Sequence, residues 1–324
     1  MTAIDVQMGS AEHFEAPVTD EQLQERFSAE RLSGLCKEFI VEGPHGDLRE
    51  KLDGRPFIVA TVAGTDTRFR DIAKSTETIE FAKRFKRSWS QVYNDYKDTD
   101  PNSTFLVAID NSDPDAPRPI GVVRMIEGNT VDALKDMKAL VADDFDPEVN
   151  PWRGDLEDLL FGEDEEYSSE KAWRRLNERA GVDIRPEESI DVATIAVHQD
   201  YADKGGALDG TSIKLYNNCL RYALAAKKKV LVSIQDLKPL ENIQQFGSPF
   251  DTFKGVPPRE YGGPYKTLPA YSVLEVGMQK IRDNNEFYGQ VFIDGFGLSA
   301  DTLMMGEIDP DNYSNEAVNL PIAV

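Results

Sequence analysis

A turn with two adjacent glycines carries the clearest chemical signal in this sequence. Lys204, Gly205, Gly206 and Ala207 lie between an apolar segment and an amphipathic one. Small side chains there would leave consecutive backbone N–H groups exposed at the start of a helix, and such groups bind phosphate or pyrophosphate. An ordinary tight turn would explain the two glycines equally well, so both interpretations stay open.

His198 directly follows the apolar residues 190–197, where a predicted strand ends. Ligands often bind at the carboxyl ends of strands in α/β sheets, and an imidazole can exchange protons near neutral pH. His198 is therefore a candidate catalytic residue, and a surface histidine without a catalytic role is the alternative.

Other familiar kinds of site are missing from the sequence. It contains no GxxxxGK[ST] phosphate loop, no GxSxG nucleophile turn, no HExxH zinc motif and no GxGxxG between a strand and a helix. The histidines number three and the cysteines two, Cys36 and Cys219, which excludes a histidine-rich site, a CxxC site and a disulfide scaffold. We therefore predict no metal centre.

Composition and charge narrow the class of protein. The chain has 324 residues, of which 40% are hydrophobic, so a sizeable core can form. Its 58 acidic against 36 basic residues give a formal charge of −22, which would repel a nucleic acid. Residues 1–15 lack the pattern of a signal peptide, and no run of 18 apolar residues occurs. We expect a cytoplasmic protein with no nucleic-acid or membrane partner.

The N-terminal part of the chain predicts helices and one strand. Residues 19–22 have the pattern of a capping box that opens a helix ending near residue 38, and a strand follows at 56–62. One long helix is predicted over 79–96. Its large apolar residues recur at steps of three and four: Phe81, Phe85, Trp89, Val92 and Tyr96.

The middle of the chain predicts a hairpin followed by an insertion. Residues 103–110 and 120–126 are strand-forming runs on either side of a turn, which is typical of an antiparallel hairpin. Residues 128–187 hold 17 acidic and 8 basic residues in interrupted helical stretches. We interpret them as a helical insertion with an acidic outer face.

A βαβ unit is predicted next. Residues 190–197 and 230–235 read as buried strands and 211–227 as an amphipathic helix, so the two strands should lie parallel, or splayed, in one sheet.

The C-terminal part predicts a helix, a hairpin and a tail. The helix lies near residues 240–246, and the segments 272–281 and 287–294 predict a terminal hairpin. The residues that follow predict an extended tail, whose apolar end at 320–324 would suit a contact in a homodimer.

This order of elements, over about residues 75–295, resembles the GNAT superfamily of N-acyltransferases. The resemblance implies an α/β (α+β) fold with a mixed, splayed central sheet flanked by helices, here with a helical acidic insertion. We expect a tail and helix in residues 1–55, the GNAT-like domain in 56–295 with the insertion at 128–187, and a C-terminal extension in 296–324.

The resemblance also implies a cosubstrate. In the GNAT family a turn of the pattern Q/R-x-x-G-x-G/A binds the pyrophosphate of an acyl-coenzyme A through its backbone amides. Gly205 and Ala207 match the last two fixed places and Lys204 stands where a basic residue is common, whereas Ala202 replaces the Gln or Arg. The implied cosubstrate is acetyl-CoA or a longer acyl-CoA, bound by Val197 and residues 204–207, and the implied acceptor is a small-molecule amine.

Only some of the family's catalytic residues have a counterpart in this sequence. Its general base is a carboxylate near the start of the same strand, where this sequence has Asp191, with Glu188 close by. A backbone N–H at about residues 196–198 would polarise the thioester carbonyl. Phe246 stands near the place of the tyrosine that protonates the leaving thiolate, so a later tyrosine would have to replace it: Tyr261, Tyr265 or Tyr271.

Three alternatives stay open. The hairpin over 104–126 and the helical insert look like those of the autoinducer synthases and N-acyl amino acid synthases, which take acyl chains from acyl carrier protein. The departures at Ala202 and Phe246, with the negative charge of Asp203, would also fit a GNAT-like module that has lost catalysis and serves binding or assembly. An unrelated α/β binding protein is the third.

Overall fold

The computed structural model describes residues 17–128, 185–202, 210–237, 240–241, 244, 250–252, 256–260 and 264–305. Some predictions fall on other parts of the chain and lie outside the described residues. They concern most of the insertion, the end of the C-terminal extension, and the individual residues Lys204, Gly205, Gly206, Ala207, Phe246 and Tyr261.

A nine-stranded mixed sheet forms the centre of the described structure. In chain order its strands are β1 Phe57–Ala63, β2 Ser103–Asp110, β3 Arg118–Glu127, β4 Ser189–Val197, β5 Val230–Asp236, β6 Asp251–Thr252, β7 Arg259–Glu260, β8 Lys266–Val273 and β9 Thr302–Met305. The order across the sheet is β6-β8-β5-β4-β3-β2-β1-β9, and β7 also pairs with β8. The pairs β4–β5 and β1–β9 are parallel, and the other pairs are antiparallel.

Helices pack on both faces of this sheet. In the described part of the chain they are α1 Asp20–Arg26, α2 Ala29–Glu42, α3 Arg49–Leu52, α4 Arg70–Phe85, α5 Trp89–Asp95, α6 Gln199–Ala202, α7 Thr211–Ala225, α8 Leu274–Asn284 and α9 Glu286–Tyr288. Shorter turns have 3-10 geometry at Lys97–Asn102, Pro186–Glu188 and Leu298–Ala300, and π geometry at Gly289–Ile293.

Alternating strand residues supply two hydrophobic cores, one on each face of the sheet. In β1, Ile58 belongs to one core with Phe39 of α2 and Ile72 of α4. Its neighbour Val59 belongs to the other core with Leu215 of α7. We call the two sides the α4 face and the α7 face. The predicted fold class, a mixed sheet flanked by helices, is confirmed.

The predicted capping box at the N-terminus is confirmed, but the helix that it opens is shorter than expected. The Thr19 hydroxyl accepts a hydrogen bond from the backbone N–H of Gln22, and the Gln22 side chain accepts one from the N–H of Thr19. This helix, α1, ends at Arg26, and α2 begins behind the N-cap Ser28. The single helix expected to residue 38 is therefore two helices.

The prediction of one long helix over 79–96 is wrong. α4 ends at Phe85, Lys86 adopts a left-handed conformation with φ of 55°, and α5 begins behind Ser88. A second capping box, between Ser88 and Gln91, opens α5. The apolar period does not show the break, because the steps of three and four continue across it from Phe85 to Trp89.

The predicted terminal hairpin over 272–281 and 287–294 is also wrong. β8 ends at Val273, and α8 follows it directly. The buried residues of α8 are spaced three and four apart: Leu274, Gly277 and Ile281. Apolar runs this short do not distinguish a strand from a helix by period alone.

Candidate active site

A wedge-shaped gap opens between the two parallel strands at the centre of the sheet. β4 and β5 pair over three residues, from Ser189 opposite Val230 to Asp191 opposite Val232. β4 then continues to Val197 without further pairing to β5. The splayed arrangement expected for the βαβ unit is therefore present, and the gap widens toward the carboxyl ends of both strands.

The ladder with β3 decides which N–H groups of β4 face this gap. The N–H of His198 donates to the carbonyl of Ile120 at 2.8 Å, so Val197 forms a non-hydrogen-bonded pair with Gly121. Successive N–H groups of a strand point to opposite sides. The N–H groups of Val197 and Ile195 therefore point into the gap. The sequence analysis expected a carbonyl-polarising N–H at about residues 196–198. Within that range, the N–H that points into the gap is that of Val197.

Helix α7 begins beside the open end of the gap. Its N-cap is Gly210, three residues after Ala207 of the predicted phosphate turn, and its first residue is Thr211. The first turn packs closely on β3: a Cβ atom added to Gly121 would lie 2.9 Å from Thr211 Cγ2 and 2.9 Å from Leu215 Cδ1. The lack of a side chain at Gly121 thus lets the start of α7 lie against the sheet.

The two predicted carboxylates occupy different places on β4. Asp191 lies at the base of the gap, on the α4 face, and is 2% exposed. Glu188 precedes the strand, at the end remote from Val197, where Lys229 Nζ lies 2.8 Å from its carboxylate. The hydrogen bond from Lys229 lowers the pKa of Glu188, which is the opposite of what a base needs near neutral pH.

His198 lies at the carboxyl end of β4, in the wall of a cavity of about 590 Å³ on the α4 face. We call this the His198 cavity and describe it by the residues Phe27, Leu32, Ile79, Asp110, Arg118 and His198. The backbone N–H of Asp200 donates to His198 Nδ1 at 3.3 Å, and a neutral ring that accepts this bond carries its own proton on Nε2. Nε2 can therefore take up a proton only in the other tautomer, in which this hydrogen bond is absent. His198 thus adjoins both the gap and a half-open cavity of a size typical for small-molecule sites.

Polar residues that the sequence analysis did not select form one end of the His198 cavity. The Tyr201 hydroxyl donates to Asp110 and accepts from Arg118 Nη2 at 2.6 Å. Although burial raises it, hydrogen bonds from Ser112 and Tyr201 lower the pKa of Asp110 below its ordinary value. Asp110 and Arg118 are the facing ends of the β2–β3 hairpin, so the predicted hairpin contained a signal for the pair.

A buried ionic network lies under β4 on the α4 face. Arg124 of β3 binds Glu77 of α4 through two hydrogen bonds of 2.9 and 2.6 Å, and Asp100 through one of 2.9 Å. Lys74 Nζ lies 2.6 Å from Asp100, and Thr194 Oγ1 of β4 donates to Glu77 at 2.5 Å. All four charged residues are at most 1% exposed. The network ties the middle of β4 to helix α4.

Two of the three candidate tyrosines are described, and they occupy different places. The Tyr265 ring lies 4.4 Å below the guanidinium of Arg84, which pairs with Asp236 at the end of β5. Tyr271 of β8 is opposite Val232 of β5, which lies between Tyr271 and Asp191 in the sheet. Tyr265 is therefore near the open end of the gap, and Tyr271 is near its base.

The described part of the chain contains neither a candidate membrane-spanning helix nor a candidate metal site. None of its helices is long and apolar enough to cross a membrane. No group of three or more His, Cys, Asp or Glu side chains there could hold a metal ion.

No family model and no curated protein sequence matches the chain. Solved structures with a similar fold do match. One is a CoA-dependent acyl-homoserine lactone synthase, BjaI, with SAM and isopentyl-CoA: 11% identity, TM-score 0.44, covering 76% of this chain and 93% of that one. Another is FeeM, an N-acyl amino acid synthase from uncultured soil microbes: 10% identity, TM-score 0.40, covering 70% and 95%.

A third is a chimera of the spermidine N-acetyltransferase SpeG from Vibrio cholerae and hSSAT, with 12% identity, a TM-score of 0.34, and coverage of 69% of this chain and 99% of that one. These proteins are of the kinds that the order of elements resembles in the sequence. At these identities and TM-scores the likeness carries no conclusion about activity.

Proposed function

We propose that the chain is an N-acyltransferase that moves an acyl group from an acyl-coenzyme A to a small-molecule amine. One observation carries the proposal: β4 and β5 separate after Asp191 and leave the N–H groups of Ile195 and Val197 directed into the gap. A thioester carbonyl lying there would receive hydrogen bonds from fixed donors that cost nothing to reorganise during the reaction.

The donor's pyrophosphate is assigned to the turn of residues 204–207. This assignment comes from the sequence pattern and is supported by the position of α7, whose first residue, Thr211, starts beside the open end of the gap. The N-terminus of a helix of 15 residues adds favourable electrostatic potential for an anion.

The reaction would proceed in two bond changes. The amine nitrogen attacks the thioester carbonyl carbon, the C–N bond forms, and the carbonyl electron pair moves to the oxygen, which accepts hydrogen bonds from Val197 or Ile195. The nitrogen gives its proton to His198, the C–S bond breaks, and the thiolate of coenzyme A takes up a proton. The products are an amide and free coenzyme A.

We assign the base role to His198 ahead of Asp191 because of their distances from the gap's open end. His198 is the residue after Val197 and lines the adjacent cavity. Asp191 precedes Ile195 by four residues, about 13 Å along a strand that rises about 3.3 Å per residue. Asp191 could act only through intervening water, and its predicted role stays a prediction.

The first test is calorimetric titration with coenzyme A, acetyl-CoA and a long-chain acyl-CoA. We expect micromolar binding of at least one, and loss of that binding in Gly205→Glu with an unchanged melting temperature. The same titration with acyl carrier protein tests the other donor. Absence of binding to every donor would overturn the proposal and favour the non-catalytic module.

The second test removes one N–H from the gap. Val197→Pro deletes a donor that the β3 ladder does not use, so the strand should keep its pairing. With release of the free thiol followed across an amine panel, we expect kcat to fall about 10²-fold to 10³-fold at nearly unchanged acyl-CoA affinity. Val197→Ala, which keeps the N–H, is the control. Equal rates in the two variants would remove Val197 from the mechanism.

A further inference from the structure

The His198 cavity has two chemically different ends. Phe27 and Leu32, at the α1–α2 junction, and Ile79 of α4 form an apolar wall, and Phe27 and Leu32 are 4% and 7% exposed. Phe27 and Leu32 belong to one hydrophobic cluster and Ile79 packs against it, so packing holds these three side chains in place. Because Phe27 and Leu32 are almost fully buried already, an apolar ligand group gains here mainly from covering Ile79, which is partly buried.

The opposite end combines charge with a group that can accept a proton. Asp110 and Asp113 contribute carboxylates and Arg118 one guanidinium, so this end is negative overall. The hydrogen bond from Tyr201 fixes the Asp110 carboxylate, and His198 completes this end beside Val197. A cation is therefore favoured here over an anion.

We propose that the His198 cavity binds the acceptor, and that the acceptor is a small primary amine carrying one apolar group. Its ammonium lies near Asp110 and its apolar group lies against Phe27, Leu32 and Ile79. The ammonium first releases one proton to solvent, and His198 takes up the second proton when the free amine attacks the donor carbonyl in the gap. The inference rests on the proposed function, because it names the acceptor of that same reaction.

The binding test uses phenethylamine and two relatives that each lack one half of it. Ethanolamine has the amine without the ring, and 2-phenylethanol has the ring without the amine. Calorimetry on the full chain, without donor, should give an affinity for phenethylamine at least tenfold greater than for either relative. Equal affinity for phenethylamine and 2-phenylethanol, or for phenethylamine and ethanolamine, would overturn the assignment of the corresponding end, and so would the absence of binding.

Variants locate the binding. Asp110→Asn should weaken phenethylamine at least tenfold and leave 2-phenylethanol unchanged. Ala116→Trp should weaken both, because Ala116 is an exposed residue in the cavity wall where an indole would fill the space. Asp115→Asn is the matched control, since Asp115 is an exposed carboxylate of the same loop outside the cavity. An unchanged affinity in Ala116→Trp would place the amine elsewhere and overturn the proposal.

The two proposals fail in different ways. If acyl-CoA binds and Gly205→Glu abolishes that binding, whereas phenethylamine binds unaffected by Asp110→Asn and Ala116→Trp, the donor assignment stands and the cavity assignment is wrong. If phenethylamine binds as expected but no donor binds, the cavity takes an amine and the acyl transfer is wrong.

Discussion

His198 and Asp191 are the two candidates for the general base of the proposed reaction. His198 is partly exposed at the wall of the cavity, and Asp191 is buried at the base of the gap. Both lie on the α4 face of the sheet, Asp191 within β4 and His198 directly after its last residue. We choose between them by their distance from the N–H groups of Ile195 and Val197. His198 directly follows Val197, whereas Asp191 lies four residues before Ile195 on an extended strand.

This choice predicts different pH profiles for two variants. His198→Asn should lower kcat/KM about 10²-fold to 10⁴-fold and remove the rise of the rate with pH, because the group that takes up the proton is gone. Asp191→Asn should keep that rise. The test is to measure the rates of both variants and of the parent chain between pH 5 and 9, with acyl-CoA affinity as the control. A rise that persists in His198→Asn and disappears in Asp191→Asn would restore Asp191 as the base.

At the scale of elements, the start of α7 depends on the strand beneath it. Gly121 lies opposite Val197 and under the first turn of α7, so a side chain there would press on Thr211 and Leu215. The same glycine therefore affects the donor site through the helix and the N–H groups through the strand.

Replacing this glycine should separate the helix from the sheet. Gly121→Val forces methyl groups into the first turn of α7, and we expect unfolding free energy to fall by about 1–3 kcal/mol and acyl-CoA affinity to fall with it. Urea unfolding and donor titration measure the two effects. Gly34→Ala in α2 is the control, since nothing lies within 4 Å of the added Cβ and the helix should gain about 0.5–1 kcal/mol. Full acyl-CoA affinity in Gly121→Val would contradict the link between α7 and the donor.

In the described part of the chain, four buried charged residues form one network, and other buried charges such as Asp191 lie outside it. Arg124, Glu77, Lys74 and Asp100 join α4, the 3-10 turn Lys97–Asn102 and β3 in the core. Although burial alone would raise it, the Arg124 guanidinium lowers the pKa of Glu77 below its ordinary value of 4.5. Global stability should therefore depend on the ionisation of a residue far from any solvent.

This network predicts how the chain unfolds in acid. Because the folded pKa of Glu77 is lower than its unfolded value, its contribution is complete above about pH 4.5 and is lost as the pH falls through the folded pKa. Glu77→Gln should cost about 3–5 kcal/mol at pH 7, because Arg124 loses one of its two buried carboxylate partners and keeps only Asp100, and the difference from the parent chain should shrink toward pH 3.

Urea unfolding at several pH values measures this difference. The exposed Glu50→Gln is the control and should change stability by less than about 0.5 kcal/mol at any pH. A constant difference between parent and Glu77→Gln down to pH 3 would show that the pKa of Glu77 is the same in the folded and the unfolded chain.

Several elements of the fold could be predicted because their signals are local. The β2–β3 hairpin, β4, α7 and β5 each have a run of apolar residues with a clear period between turn-forming residues, and the structure confirms them. The order of these elements was enough to predict the splayed parallel pair. Two segments were assigned wrongly. At residues 79–96 the apolar period continues across a break between two helices, and at 272–294 the apolar runs are too short to distinguish a strand from a helix.

Other features depend on register and packing between distant residues. The N–H of Val197 faces the gap because a bulge between Val192 and Thr194 sets its phase against β3, and no local pattern specifies that phase. Arg124 sits in an apolar strand, and its partners Glu77 and Asp100 are supplied by other elements.

The sequence by itself thus determined the main strands and helices of the sheet's centre, their order and the position of His198 at the end of β4, because the alternation of apolar residues acts over a few neighbours. Only the tertiary structure decided which N–H groups enter the gap and that α1, α2, α4 and the hairpin ends line the His198 cavity. The physical reason is that strand register and helix packing are set by contacts between residues far apart in the chain, whose combined burial outweighs any local preference.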